Sequence, residues 1–308
     1  MNRPDFVCGV DGGGTKTTAI CCTTDGKEIA RRVFGPFNLN SIGMQAFEGI
    51  LNELVSFLKE TGNCRALCIG AAGITNSRVS DCVENVLGKT GIPYKLLGDF
   101  EIAHTGALDG REGIILIAGT GSVCFGKNKN GNSAMAGGWG HLIGDAGSGY
   151  GIGRDALSAV ARMYDGYGQP TILKDLISQE LILDTAEKIV SYVYSNDKSA
   201  VAALSPIVEK AYAMGDAVAT QIIRSNAASL VQLVSTVASR LCFESCDVAL
   251  LGGLMEHETA LRKEFEKLMS EKDPDLRCVG PLRSAAEGAV MEALSLVKEK
   301  PRRANPAG

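Results

Sequence analysis

The sequence predicts an α/β protein of two similar lobes, and three observations carry that prediction. The first is a strand–glycine–strand unit near the start. The apolar run Val7 to Val10 leads into Asp11-Gly12-Gly13-Gly14-Thr15-Lys16-Thr17, and a second apolar run follows from Ala19 to Cys22. The second is its repetition: Ile114 to Ala118, then Gly119-Thr120-Gly121-Ser122, then Val123 to Phe125. Gly14-Thr15 and Gly119-Thr120 are 105 residues apart, and so are Asp25-Gly26 and Asn130-Gly131. Both of these last pairs are strong hairpin-turn dipeptides. The third is the alternation of short apolar strands with segments of helical apolar spacing.

Glycines let a backbone turn tightly and approach a ligand closely. Successive N–H groups in such a turn form a concavity that suits a phosphate. An acid at the mouth of the loop suits Mg²⁺, which takes carboxylates or their waters together with phosphate oxygens. A plain glycine hairpin is the alternative for either loop alone. The shared offset favours two lobes facing each other over a nucleotide cleft. Only the first copy has an acid before its glycines; Leu116 holds the matching place in the second.

In order, strands at 7–10, 18–22 and 27–34 open the first lobe, and 35–43 is a loop. There Asn38 and Asn40 could bond a polar ligand or serve only as loop and cap residues. A helix is expected at 44–60, from the spacing of Phe47, Ile50, Leu51, Leu54, Phe57 and Leu58, then a strand at 66–70, a helix near 76–89 and a strand at 94–97. Asp99 follows that strand, where ligands sit in open α/β sheets; it could equally cap a helix over 100–108. The second lobe starts near Glu112. After its hairpin the stretch 136–153 is dense in glycine and contains the only Trp, Trp139, with Asp145 six residues on. Glycine at that density is costly in chain entropy unless backbone must approach something. Trp139 reads as an apolar plug or as a face for a sugar ring; His141 reads as structural. The chain is then mostly helical to about 241, with a long helix over 216–241. Val248 to Leu251 leads into Gly252-Gly253, and a helix at 257–270, a strand near 277–279 and a helix at 284–298 complete the fold. The expected lobes are 1–110 and 111–308, the last helix being free to pack back on the first lobe. The tail 298–308 is expected to fray.

The segment Gly121 to Lys127 fits GxxxxGK, but Asn128 follows where Ser or Thr would hold Mg²⁺, and the spacer is strand-like, so a P-loop is rejected. The 308 residues suit two medium domains, with 45% hydrophobic and 21% charged residues. A net charge of −4 without a basic block argues against nucleic acid or a membrane surface as partner. No signal peptide or membrane span is apparent, so a cytoplasmic location with reduced, mostly buried thiols is expected for the ten cysteines. Cys64/Cys68 and Cys242/Cys246 have a spacing of four, not the CxxC of zinc or iron–sulfur sites.

Taken together, these motifs resemble the actin/hexokinase/Hsp70 ATPase superfamily. Within it the match is to the BadF/BadG/BcrA/BcrD ATPase family and its N-acetylglucosamine kinase branch. Asp11–Thr17 is similar to the first phosphate motif, Gly119–Ser122 to the second and Val248–Gly253 to the adenosine motif; glycines at 70–73 and small residues at 285–289 are similar to the connecting segments. The resemblance implies two ribonuclease-H-like lobes with ATP between them. Phosphate contacts would come from Gly13, Gly14, Thr15, Lys16, Thr17, Gly119, Thr120, Gly121 and Ser122, and adenosine contacts from Gly252 and Gly253. Asp11 would orient Mg²⁺ through water. Asp99 would be the catalytic base, and Asn38, Asp99, Gly137, Gly138, Trp139 and Asp145 would hold the sugar. The branch usually reads Gly-Asp-Glu-Gly-Ser, whereas Ala146 stands here in place of the Glu.

The expected activity is ATP-dependent phosphorylation of an amino sugar or N-acetyl amino sugar, N-acetylglucosamine first, then glucosamine or N-acetylmuramic acid, at the 6-hydroxyl. Kinases of this branch are often homodimers. An alternative is an ATPase activator of an iron–sulfur reductase or dehydratase, but the Cys-Ala-Ala-Gly-Thr-Gly stretch of those proteins is missing. A nucleotide-dependent sensor without turnover is the third reading.

Overall fold

Strand β1 (Asp5–Gly12) is the middle strand of the first of two sheets in the computed structural model, which describes residues 3–74 and 76–298. The chain divides into two units, Met1–Arg111 with Pro281–Gly308, and Glu112–Gly280. The boundary expected after 110 thus falls after Arg111. The segment from 281 on, which the sequence reading counted with the second lobe, belongs to the first unit. Of the tail expected to fray, residues 299–308 lie outside the described residues.

In the first unit β1 pairs antiparallel with β2 (Thr17–Thr23), and β2 with β3 (Glu28–Phe34). On its other side β1 runs parallel to β4 (Asn63–Ala71), and β4 to β5 (Tyr94–Leu97), giving the order β3-β2-β1-β4-β5. Alternation along β1 sends Phe6, Cys8 and Val10 to one face and Val7 to the other. The first face packs under helix α1 (Leu39–Thr61) and α2 (Ser77–Leu87) through Phe47, Leu51, Leu54, Leu58 and Val83. Helix α1 starts earlier than its apolar spacing suggests and kinks at Gly43, whose φ is 77°. The second face packs on α3 (Asp99–Ala107) and on the last helix, α12 (Ala285–Lys298), through Ile102, Ala286, Ala289 and Val290. A Cβ on Gly9 would lie 2.2 Å from the Val290 backbone nitrogen. The backbone of α12 therefore crosses directly over β1, and only glycine leaves room for it.

The second unit repeats the sheet. Strands β6 (Gly113–Ala118), β7 (Ser122–Lys127), β8 (Ser133–Gly137), β9 (Cys246–Leu251) and β10 (Leu276–Val279) take the order β10-β9-β6-β7-β8. Their directions match the first sheet strand for strand. The segment that fitted GxxxxGK is mostly β7 itself, followed by a turn. Where the first unit places only α1 between its third and fourth strands, this one inserts α4 (Gly149–Tyr164), α5 (Leu173–Leu181), α6 (Ala186–Ser195), α7 (Lys198–Ala202), α8 (Ser205–Ala213) and α9 (Ala217–Leu241). They build one large core with β6, β7 and β9, and α10 (Gly253–Glu256) and α11 (Ala260–Lys272) follow β9. Among the described residues no helix is long and apolar enough to cross a membrane.

Candidate active site

In the first unit the parallel register places the predicted acids together. Asp11 stands beside Gly70, and Gly70 beside Leu97, so Asp11 and Asp99 lie at the same, carboxyl-terminal end of β1, β4 and β5. Asp99 is exposed and begins α3. It is not the cap: the Gly98 N–H donates to Glu101 Oε2 at 2.7 Å, while Asp99 Oδ1 accepts from the Phe100 N–H at 3.0 Å. Asp11 is half-buried, and burial pushes its carboxyl above the usual range; the Asp99 charge pushes the same way and Lys16 pulls it back. Asp11 thus feels both of the other charges.

The glycine loop spans the β1–β2 hairpin. Gly13 N–H donates to Lys16 O at 3.0 Å, and Phe37 N–H donates to Gly13 O at 2.9 Å, which brings Asn38 alongside the loop. Gly14, Thr15 and Lys16 are exposed, and a Cβ on Gly14 would meet nothing within 4 Å. Thr17 differs from the expectation that it faces phosphate. It is 1% exposed, and its hydroxyl donates to Gly35 O at 2.7 Å.

The second unit arranges its loops at the matching end of its sheet. Gly119 N–H donates to Gly121 O at 2.9 Å, Thr120 is exposed, and Gly149 N–H donates to Gly119 O at 2.8 Å. Ser122 is buried: its hydroxyl donates to Ala146 O at 2.8 Å and its N–H to Asp145 Oδ1 at 3.2 Å. Its hydroxyl is therefore engaged within the protein, as that of Thr17 is. Asp145 lies 5% exposed at φ 61°, and its Oδ2 has no hydrogen-bond partner. Gly138 N–H donates to Ser122 O at 3.0 Å, which holds Gly137 and Gly138 beside the same hairpin. Trp139 is 68% exposed, and Leu142 and Ile143 are more exposed still, so it is no core plug. His141 packs edge-on against Tyr150 at 5.1 Å between ring centres. Gly252, at φ 87°, ends β9 so close to β6 that a Cβ would lie 2.5 Å from Ala118 O, whereas a Cβ on Gly253 would meet nothing. The Gly252 N–H donates to Glu256 Oε1 at 2.9 Å.

Sequence reasoning passed over Asn226, which is 2% exposed on α9 and accepts the Gly147 N–H at 2.8 Å. The signal was present: an amide on the stripe Ile222, Asn226, Leu230, four residues apart, where every other member is apolar.

No group of three His, Cys, Asp or Glu side chains gathers around a possible metal position among the described residues. The Asp11–Asp99 carboxylates fit Mg²⁺ in another way, since that ion needs only one or two carboxylates plus phosphate oxygens and water. A cation there would also relieve the burial and like charge that raise the Asp11 carboxyl. The ten cysteines are free thiols, and burial pushes Cys64 and Cys68 up to about 12. Such thiols are poor nucleophiles and poor ligands.

A Clostridium acetobutylicum protein named N-acetylmuramic acid/N-acetylglucosamine kinase is 36% identical, over 94% of this chain and 98% of its own length. A Dictyostelium discoideum protein named N-acetyl-D-glucosamine kinase is 29% identical, over 97% of this chain and all of its own. The same fold occurs in the crystal structure of a candidate N-acetylglucosamine kinase from Chromobacterium violaceum, with a TM-score of 0.72 at 23% identity, over 94% of this chain and 99% of that one. Residues 8–293 match the BadF/BadG/BcrA/BcrD ATPase family, and with a relative this similar along nearly its whole length the chain belongs to that family.

Proposed function

We propose that this chain is an ATP-dependent kinase of an amino sugar or N-acetyl amino sugar, with N-acetylglucosamine first and transfer to the 6-hydroxyl. The observation that carries the reading is the pair Asp11 and Asp99 at one sheet end, beside a glycine loop. Two such acids divide the work of phosphoryl transfer: one serves the metal side, the other the acceptor. N-acetylmuramic acid is the second substrate to examine, because the Clostridium acetobutylicum relative bears both sugars in its name.

Phosphoryl transfer needs positioning and charge neutralisation more than covalent help. In the first unit the exposed Gly14, Thr15 and Lys16 take phosphate, Gly13 being closed by its own bond to Lys16 O. In the second unit Thr120 and Gly121 do so, Gly119 being closed by its own bond to Gly121 O as Gly13 is, and Gly252 and Gly253 receive the adenosine. Asp11 would hold Mg²⁺, which would supply neutralisation of charge on the phosphates. Asp99 takes the proton of the attacking hydroxyl, a role that its exposure and its position at the strand end support. Asn38 and Asp145 hold sugar hydroxyls; the unpartnered Oδ2 of Asp145 is an acceptor awaiting a donor. A cytoplasmic location goes with this reading.

The test is ADP release from Mg-ATP with N-acetylglucosamine, glucosamine, N-acetylmuramic acid, N-acetylmannosamine, glucose or no sugar. Strong stimulation by one amino sugar is expected. Equal release with and without sugar overturns the reading.

A further inference from the structure

We infer that Asn226 is a positioning residue for the Asp145 turn. It acts through Gly147 to hold the Asp145 carboxylate on the second glycine loop. The inference rests on the reading of Asp145 as a sugar contact.

The turn 145–147 is an unfavourable piece of backbone. Asp145 has φ 61° and Gly147 φ 81°, so two of three consecutive residues sit in the left-handed region. For a residue with a side chain that conformation is disfavoured and needs support from its surroundings. The support comes from α9. Asn226 Oδ1 accepts the Gly147 N–H at 2.8 Å. Its Nδ2 donates to Asp155 Oδ2 at 2.9 Å and to Ile222 O at 3.0 Å. Asp155 accepts only, so it fixes which end of the amide faces the turn. Asp155 is itself oriented by Arg154, whose guanidinium donates twice to Oδ1. Packing closes the arrangement: a Cβ on Gly147 would lie 2.4 Å from Leu230, and one on Gly151 would lie 2.9 Å from Asn226 Oδ1.

The turn so held delivers two acceptors to Ser122, the Asp145 carboxylate to its N–H and the Ala146 carbonyl to its hydroxyl. Asp145 Oδ2, a buried oxygen, is left without a partner within the protein. A chain of hydrogen bonds thus runs from Asp155 through Asn226 and the turn to the residue that closes the second glycine loop. Misplacing the turn moves the sugar acceptor without removing any group that touches the sugar.

The experiment uses the whole protein with N-acetylglucosamine and Mg-ATP, and reads kinetics together with amide hydrogen exchange over 145–148. In Asn226→Asp a carboxylate faces that of Asp155, so the turn loosens. Its amides exchange faster, and the KM for sugar rises about tenfold, while the KM for ATP moves much less. Adding Asp155→Asn restores a donor–acceptor pair with the ends reversed, and the double variant regains part of the slow exchange and of the sugar affinity, since the Ile222 carbonyl still lacks its side-chain donor. Asp216→Ala is the control, since Asp216 caps α9 and accepts from Thr171 and Ile172 away from the turn. It lowers the melting temperature without changing the ratio of the two KM values. Unchanged exchange in Asn226→Asp, or a double variant no better than the single one, overturns the proposal. If the wild type shows no sugar-dependent turnover, the kinase reading fails, and hydrogen exchange still decides whether Asn226 holds the turn.

Discussion

The β1–β2 and β6–β7 hairpins share a frame and differ in where each finds its acid. Each begins its second strand with a buried hydroxyl, Thr17 or Ser122, that donates to a carbonyl in the segment after the third strand. In the first hairpin the acid is part of the strand: Asp11 precedes the glycines, half-buried and raised by burial and by Asp99. In the second, the matching strand position is the buried Leu116, and the acid arrives from a following turn as Asp145. Sheet geometry is kept by the backbone and can be copied whole. The proposed chemistry asks a different task of each carboxylate, so the acids can differ while the frame stays.

The largest effects should separate the two acids. Asp99→Asn is expected to lose about a hundredfold or more in kcat, the usual loss of a general base, with nucleotide binding intact by calorimetry. Asp11→Asn should also act on kcat, because the nucleotide's charge is less well neutralised. Asp145→Asn should act instead on the sugar KM. A kcat effect from Asp145 with none from Asp11 would break the comparison.

Next are backbone effects. Gly252→Ala places a side chain at φ 87° against Ala118 O and should destabilise the second unit by about 1–3 kcal/mol in urea unfolding. Gly253→Ala meets no atom, so its stability should stay level and its ATP KM should rise. Equal stability losses at both positions would mean that Gly253 is structural.

The two hydroxyls should cost alike. Thr17→Val and Ser122→Ala each deprive a carbonyl of its donor, about 1–3 kcal/mol in each case. Turnover falling with only one of them would show that the shared frame hides a functional difference.

The smallest effect is in pH. A carboxyl raised by folding holds a proton that the unfolded chain releases. Stability therefore falls as pH climbs from the ordinary carboxylate range through the raised value, and the loss is complete above it. Asp11→Asn removes this loss. Its melting temperature should gain on the wild type across that window and match it below. A gap that does not change with pH would place the strain elsewhere.

Much of this was legible in the sequence. The 105-residue offset gave the repeated hairpins because Asp25-Gly26 and Asn130-Gly131 are local signals, readable without knowing what packs on them. Strand and helix order was legible for the same reason, since both periods repeat within a few residues. The burial of Thr17 and Ser122 was not. A hydroxyl beside a glycine loop reads as a ligand group until the partner carbonyls, Gly35 and Ala146, are placed by the fold. Trp139 was ambiguous because an aromatic within a glycine run carries no period. Asn226 was missed because its partner, Gly147, lies far back in the chain. The last helix was counted with the second lobe but left free to pack back on the first, because its place depends on Gly9, a glycine that reads as an interruption until α12 lies across it.

That crossing has a consequence for synthesis. Residues 112–280 form one unbroken stretch, so the second unit has all its parts as soon as they leave the ribosome. The first unit does not. Its β1 is made before residues 112–280, yet the face carrying Val7, Ala66 and Cys68 stays without α12 until that whole stretch has been made. During that interval a nascent chain holds an apolar sheet face open, the kind of surface that chaperones engage. The order of folding is then the reverse of the order of synthesis: the unit begun first is completed last.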